Sequence, residues 1–177
     1  MAELDSFLTA DADQTLLDEL HALCVCAFDG DFDLEDWEHS LGGRHFVTYE
    51  AGMPRAHASV VPRTLEIEGR PLQVGYVEAV ATDPDHQGRG FGTMAMEGAG
   101  RWIRASYQMG VLATGEFHFY ERLGWERWTG LTYVRDGVTQ ARSEDADGAI
   151  MVLRFGPSER IGLDAAISCE ARSGDDW

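Results

Sequence analysis

The chain has 177 residues, 44% of them hydrophobic and 10% aromatic, enough to bury one substantial core in a single domain spanning 1–177. Lys and Arg number 14 against 31 Asp and Glu, a net charge of −17. That balance lacks the clustered positive potential that binds DNA, RNA or an anionic membrane, and it suits a cationic small molecule or peptide. The opening stretch MAELDSFLTADADQTLLDEL is acidic and has no long apolar run, so neither a secretion signal nor a membrane span is expected. Cys24, Cys26 and Cys169 are odd in number, and the Cys24/Cys26 pair falls in a helical pattern where positions i and i+2 point apart. Neither a disulfide nor a zinc site is indicated, and buried thiols in a cytoplasmic protein are expected.

Leu16, Leu20, Leu23, Cys24 and Ala27 recur at helical spacing and predict an amphipathic helix over 14–28. DGDFDLEDWEHSLGG follows as a short acidic helix carrying Trp37 and Leu41 and stopped by Gly42-Gly43. HFVTYE reads as a strand with AGMP as its turn, and two longer strands, RAHASVVPRTLEIEG and RPLQVGYVEAVAT, join near Glu68-Gly69. A long helix is predicted over 91–107, a short buried strand at GVLAT, and a brief helix in FHFYERLG closed by Gly124. WERWTGLTYV and AIMVLRF read as strands flanking an acidic loop over 136–148, and the tail 157–177 holds one edge strand. The expectation is one mixed α+β domain, with no repeat, linker or low-complexity segment.

The loop Gln87-Gly88-Arg89-Gly90-Phe91-Gly92 follows a strand and precedes a helix. It is not a P-loop, since no Gly-Lys-Ser/Thr follows at the required spacing, and it lacks the acidic ribose partner of a dinucleotide fingerprint. Glycines there let successive backbone N–H groups point at a pyrophosphate, and the dipole of helix 91–107 favours that charge. Taken alone, the same glycines could serve a tight turn and helix packing.

The Q-x-x-G-x-G pattern after a strand ending VAT-D-P resembles the acetyl-CoA motif of the Gcn5-related N-acetyltransferase (GNAT) superfamily. FHFYERLGW, one strand later, resembles that superfamily's second signature, a helix whose tyrosine faces the CoA sulfur. DGDF, DWEHSLGG, GYVEAV, YQMG, GWERW and the terminal SGDDW further resemble the aminoglycoside 2′-N-acetyltransferases over nearly the whole chain. The resemblance implies a mixed, mostly antiparallel sheet flanked by helices, with the strand bearing Glu78 parting from GVLAT to admit the acetyl-pantetheine arm. It also implies a homodimer, and it accounts for the acidity, because aminoglycosides carry several ammonium groups.

By the same resemblance, backbone at Val80, Ala81 and Thr82 and at Gln87, Gly88, Arg89, Gly90, Phe91, Gly92 and Thr93 holds acetyl-CoA, with Arg89 adding a phosphate contact. A main-chain N–H near Val80 polarises the thioester. Glu78, two residues earlier and on the same face of the strand by period two, is the candidate base acting through water, or else only an anchor for a substrate ammonium or hydroxyl. Tyr120 is the candidate acid: a phenol of pKa ~10 can protonate a thiolate whose own pKa is near ~8.5. Its alternative role is packing beside Phe117 and Phe119. Substrate contacts implied are Asp31, Asp36, Glu78 with Ala79, Ala113-Thr114, Asp145, Asp175, and Trp177 with its carboxylate. Each acid taken singly reads as a solvated surface group.

Three departures from the resemblance touch the substrate region: Ala146 interrupts the acidic run SEDADG, the strand end reads LATG, and the helix before Tyr120 is about two residues short. An enzyme of narrow range acting on kasugamycin, or one acetylating another polyamine or a protein amine, stays open. A non-catalytic acyl-CoA module is disfavoured by the presence of both Glu78 and Tyr120. His21, His39, His45, His57, His86 and His118 show no metal-ligand spacing, so no metal is expected, and His39 reads as structural.

Overall fold

The computed structural model describes residues 1–177. In chain order the elements are β1 (Glu3–Leu8), α1 (Gln14–Ala27), α2 (Leu34–His39), β2 (Arg44–Glu50), β3 (Met53–Ile67) and β4 (Arg70–Thr82). They continue with α3 (Phe91–Ser106), β5 (Met109–Ala113), α4 (Phe117–Glu121), β6 (Glu126–Arg127), β7 (Thr132–Asp136), β8 (Thr139–Arg142), β9 (Ile150–Leu153) and β10 (Ile167–Glu170). The strands form a mixed sheet of order β6-β9-β5-β4-β3-β10-β7-β8, with β2 also on β3 and β1 on β2. Pairings β4–β5 and β7–β10 are parallel among antiparallel neighbours, in keeping with the α+β expectation. Contacts divide the chain into two compact units, Met1–Val61 with Val77–Trp102, and Pro62–Tyr76 with Ile103–Trp177. Strands β3 and β4 run through both.

In the first unit, α1 starts where the Asp13 side chain accepts the Leu16 N–H at 2.9 Å, satisfying one of the orphan donors of a helix start. Its Leu20 and Cys24 pack with Trp37, Val47 and Ala81 into a buried cluster. Helix α3 lies close on the outer strands: a Cβ on Gly98 would meet a Leu4 methyl at 2.9 Å and the Phe46 ring at 3.0 Å. In the second unit, β5 is buried between β4 and β9, and Trp125, Ile103 and Leu153 close over Gly110.

Four elements differ from expectation. Residues 3–8 form β1, pairing Glu3↔Tyr49 through Leu8↔Arg44; its half-buried Leu4 and Phe7 are three apart and point to opposite faces, so no period-two alternation marks the strand. The strand expected over 125–134 is broken into β6 and β7. Between them Trp128 Nε1 donates to the Ala165 carbonyl at 3.0 Å, Thr129 N–H to Leu163 at 2.8 Å, and Gly130 lies against Ala165 backbone where no Cβ fits. The acidic loop holds β8, which hairpins onto β7 around Gly137-Val138. The tail strand β10 is interior, seated between β3 and β7, because Ile167 and Cys169 are buried. Of the thiols, Cys24 and Cys169 are buried and Cys26 is exposed.

Candidate functional site

Strand β4 ends at Thr82 and passes into a single 3-10 turn, Pro84–His86, capped by the Asp83 carboxylate, which accepts from Asp85 N–H at 3.1 Å. Arg55 at 2.7 Å and His86 Nδ1 at 2.9 Å meet the same carboxylate. Its partial burial opposes ionisation, but the Arg55 hydrogen bond and the Asp85 N–H outweigh it and hold the carboxyl below its ordinary value. Gly88 (φ 73°) and Gly90 (φ 89°) then take left-handed conformations, and nothing lies within 4 Å of where their Cβ atoms would be. The constraint on these two positions is therefore backbone shape, with open space above it.

The Gly90 carbonyl accepts the Met94 N–H at 3.0 Å, the first bond of α3, so the N–H groups of Phe91, Gly92 and Thr93 have no partner inside the helix. No acid stands in that first turn to compete with an anion. Phe91 is buried, and the Thr48 hydroxyl donates to its carbonyl at 3.3 Å, which seats the helix start. Gln87–Thr93 thus have the conformation and donors a pyrophosphate needs. Arg89 is already engaged: its Nη2 stands 2.6 Å from Glu50 Oε1, and its guanidinium lies over the Phe91 ring. Ala81 turns its side chain into the core, so only its backbone is available to a ligand, whereas Val80 and Thr82 are half-buried.

Glu78 is half-buried on β4, and the residue after it, Ala79, has φ 50° in the middle of a strand. A left-handed non-glycine residue costs about 1–2 kcal/mol. It also interrupts the pleat, so the period-two argument that placed Glu78 and Val80 on one face does not carry across; their relative aim is set by the Ala79 turn. The Ala79 carbonyl accepts from His57 Nδ1 at 2.8 Å, and His57 Nε2 lies 2.8 Å from His45 Nδ1. Burial lowers His45 to about 4. Burial and then the neighbouring His45 lower His57 to about 3, against the opposing pull of the Ala79 bond. Both rings are neutral at pH 7. Sequence reasoning passed over this pair.

Asp31 is exposed beyond the end of α1. Asp36 is the third residue of a capping box: it accepts from Asp33 N–H at 3.0 Å while Asp33 accepts from Asp36 N–H at 2.9 Å. One Asp36 oxygen is therefore spent on the start of α2.

In the second unit, Ala113 ends β5 opposite Ile150 and is exposed. Thr114 accepts Glu116 N–H at 2.9 Å and hydrogen-bonds the Tyr120 phenol. The Tyr120 ring is buried, edge-on to Phe119 at 4.9 Å and Trp125 at 6.3 Å. Burial raises its pKa well above 10; the Thr114 bond opposes this and the Glu116 charge adds to it. The phenol is a protonated donor throughout the neutral range.

Asp145 is exposed in a 3-10 turn, Glu144–Ala146, in which Ala146 faces inward. Asp147 is held by Arg142 and by the Thr132 hydroxyl at 2.8 Å. Trp177 is buried, and its indole N–H donates to Ser143 Oγ at 2.9 Å, two residues from Asp145. Its backbone N–H donates to Asp175 Oδ1 at 3.1 Å, and Arg63 donates to the Asp176 carbonyl at 2.9 Å. The tail thus brings Trp177 to the acidic turn, with Asp175 bonded to its backbone N–H. Ser143 and Arg63, which fasten it, carried no signal in the sequence.

A helix-opening glycine loop after a kinked strand, followed by a strand and a tyrosine-bearing helix, is the arrangement of an N-acetyltransferase. Residues 14–128 match the family model of the acetyltransferase (GNAT) domain, and the chain belongs to that family. It is similar to the aminoglycoside 2′-N-acetyltransferase of Mycolicibacterium fortuitum, at 37% identity over 173 residues, 96% of this chain and 89% of the relative. The fold matches Escherichia coli YhbS, solved in complex with CoA, with TM-score 0.63, 18% identity and coverage of 95% of this chain and 89% of that one. It also matches part of the longer Eis1 of Mycobacterium abscessus: TM-score 0.62 and 17% identity over 75% of this chain, which spans 33% of that protein. No helix is long and apolar enough to cross a membrane.

Proposed function

We propose that this acetyltransferase moves the acetyl group of acetyl-CoA to the 2′-amino group of aminoglycosides, as one catalytic domain spanning 1–177. The observation that carries the reading is the 37% identity, over 96% of the chain, to a relative of that name. The left-handed glycines and free first-turn donors of α3 support the acetyl-CoA assignment. In this reading backbone at Val80, Thr82 and Gln87–Thr93 holds the cosubstrate, and Arg89 reaches a phosphate only by sharing or exchanging Glu50.

The Val80 N–H polarises the thioester carbonyl, and a donor fixed beforehand costs no reorganisation during reaction. Glu78 takes a proton from the substrate ammonium through water, the freed amine nitrogen bonds to the carbonyl carbon, and the carbon–sulfur bond breaks. Tyr120 gives its proton to the departing thiolate, and the second proton shed by the nitrogen as it becomes the amide reprotonates the phenolate. Asp31, Asp145 and Asp175 receive the other ammonium groups, with the Trp177 ring anchoring the tail; Asp36, occupied by its cap, contributes least. Cytoplasmic location, a homodimer and a role in antibiotic resistance follow from the same resemblance.

A thiol-release assay with acetyl-CoA tests it, using gentamicin, tobramycin and kanamycin B against kanamycin A and amikacin, which carry a 2′-hydroxyl, and kasugamycin. Turnover of the first three without the 2′-hydroxyl pair is expected. Turnover of kasugamycin alone would move the substrate to a narrower branch, which the inward-facing Ala146 and the five-residue α4 would then explain. Silence across the panel would overturn the substrate assignment.

A further inference from the structure

The first unit contains a buried chain of polar side chains for which the reaction above has no use. His57 Nδ1 lies 2.8 Å from the Ala79 carbonyl, His57 Nε2 lies 2.8 Å from His45 Nδ1, and His45 Nε2 lies 2.8 Å from Thr9 Oγ1. Both imidazoles have no exposed surface. Their walls are aromatic: Phe7 stacks on His45 with centroids 5.5 Å apart, and the Trp37 ring lies 6.3 Å from His45 and 6.0 Å from His57. Cys24 Sγ stands 3.8 Å from His57 Nδ1, and burial pushes its thiol up to about 12, so it is not a competing nucleophile.

A carbonyl oxygen only accepts, so its bond to His57 requires the proton on Nδ1. Nε2 of the neutral ring must then accept, which places the proton of His45 on its Nδ1. His45 Nε2 accepts in turn from the Thr9 hydroxyl, and Thr9 Oγ1 accepts the Gly42 N–H at 3.0 Å. One direction of donation satisfies every atom in the series. It ends on Ala79, a left-handed alanine inside a strand, and the residues on either side of that turn are Glu78 and Val80.

We propose that His57 is a positioning residue for acetyl transfer: its Nδ1–H, imposed through His45, clamps the Ala79 carbonyl and so fixes the left-handed turn that aims Glu78 and the Val80 N–H. The proposal rests on the roles given above to those two groups. A strained turn persists only when its surroundings over-determine it, and this clamp grips the very peptide that has to be held. A small misplacement of reacting groups lowers the rate more than it lowers binding. The acetyl-CoA loop, anchored separately through Asp83 and Thr48, is not affected.

The test uses the full chain. His57→Phe removes the donor and should lower kcat about tenfold or more, with KM for acetyl-CoA within about twofold of wild type. His57→Asn carries an amide N–H the same number of bonds from Cα and should recover most of that kcat, although it lowers the melting temperature. A purely structural histidine would give two variants alike in kcat per folded molecule, and that result overturns the proposal. Imidazole 15N spectra of the wild type need neither variant to fold: at pH 7 both rings should be neutral Nδ1–H tautomers, and an Nε2–H His57 overturns the proposal. If Glu78→Gln keeps full kcat, the reading of the site fails. If Glu78→Gln is slow while His57→Phe is not, only the clamp fails.

Discussion

The two units place their candidate functional groups in opposite ways. In Met1–Val61 with Val77–Trp102, apart from Asp31 and Asp36 at the helix ends, they are main-chain atoms or a side chain on a strand, held by buried or part-buried bonds: Thr48 to Phe91, His57 to Ala79, Arg55 to Asp83. In Pro62–Tyr76 with Ile103–Trp177, apart from the packed rings of Tyr120 and Trp177 and the strand end at Ala113-Thr114, they are exposed acids on a turn and a tail, the tail fastened through the Trp177 indole bond to Ser143 and the Arg63 bond to Asp176. Backbone held by buried polar bonds has one conformation to offer, which suits a cosubstrate that is always the same. In the proposed reading, acids on a tethered tail would allow the acceptor to change while the chemistry does not.

That contrast is open to breaking. The largest effect should come from Glu78→Gln, with kcat about 10²–10³-fold lower and acetyl-CoA affinity near wild type. Tyr120→Phe should cost less, about tenfold in kcat, because a thiolate departs without full proton transfer. Stopped turnover kinetics with separate KM values would show both, and normal kcat in both variants would remove the acid and base assignments while leaving the family intact. Trp177→Ala, which unfastens the tail, should raise KM for the amine about tenfold, a loss of ~1.4 kcal/mol, and leave KM for acetyl-CoA unchanged. Equal losses for both substrates would erase the distinction between the two units.

Acid should expose the rigidity of the first unit. In the unfolded chain His45 and His57 titrate near 6.5, and in the folded protein at about 4 and about 3. The unfolded state therefore binds more protons between those values, so the pair's contribution is complete above about pH 6.5 and is lost as pH falls toward 3. A melting temperature about 10 °C lower at pH 5 than at pH 7 is expected, and His57→Asn should flatten that slope by about half. The smallest effect belongs to Asp36→Ala: loss of the capping box should cost about 1 kcal/mol and about 2–4 °C, with no change in KM for the amine. A raised KM would return Asp36 to the substrate side.

What was readable in the sequence follows the same division. The loop proposed to hold acetyl-CoA is encoded by glycines at fixed spacing, because φ near 73° and 89° at Gly88 and Gly90 tolerates little else, and so the motif states its own conformation. Helix α1 announced itself by periodicity, and the long β3–β4 hairpin by two strand-like runs joined near Glu68-Gly69. The histidine pair did not. Starting from the turn at Ala51-Gly52, the β2–β3 register runs Glu50↔Met53 and Tyr49↔Pro54, which would put His45 and His57 on opposite faces. A bulge between Thr48 and Tyr49, with Arg55 as the extra residue, shifts the pairing to Thr48↔Ala56 and Val47↔His57 and brings the two rings onto one face. One inserted residue inverts the pleat, and no composition signal marks it. Likewise the break after β6 depends on backbone bonds to residues 163–165, contacts more than thirty positions away that no local pattern carries.

The most direct test of the proposed activity is where the acetyl group goes. Kanamycin B offers a 2′-amine among several others, so it should be incubated with acetyl-CoA and the enzyme and the product resolved by two-dimensional NMR. A single acetyl on the 2′-nitrogen is the predicted result. Acetylation at any other amine, or a mixture, would contradict the account even if turnover were fast.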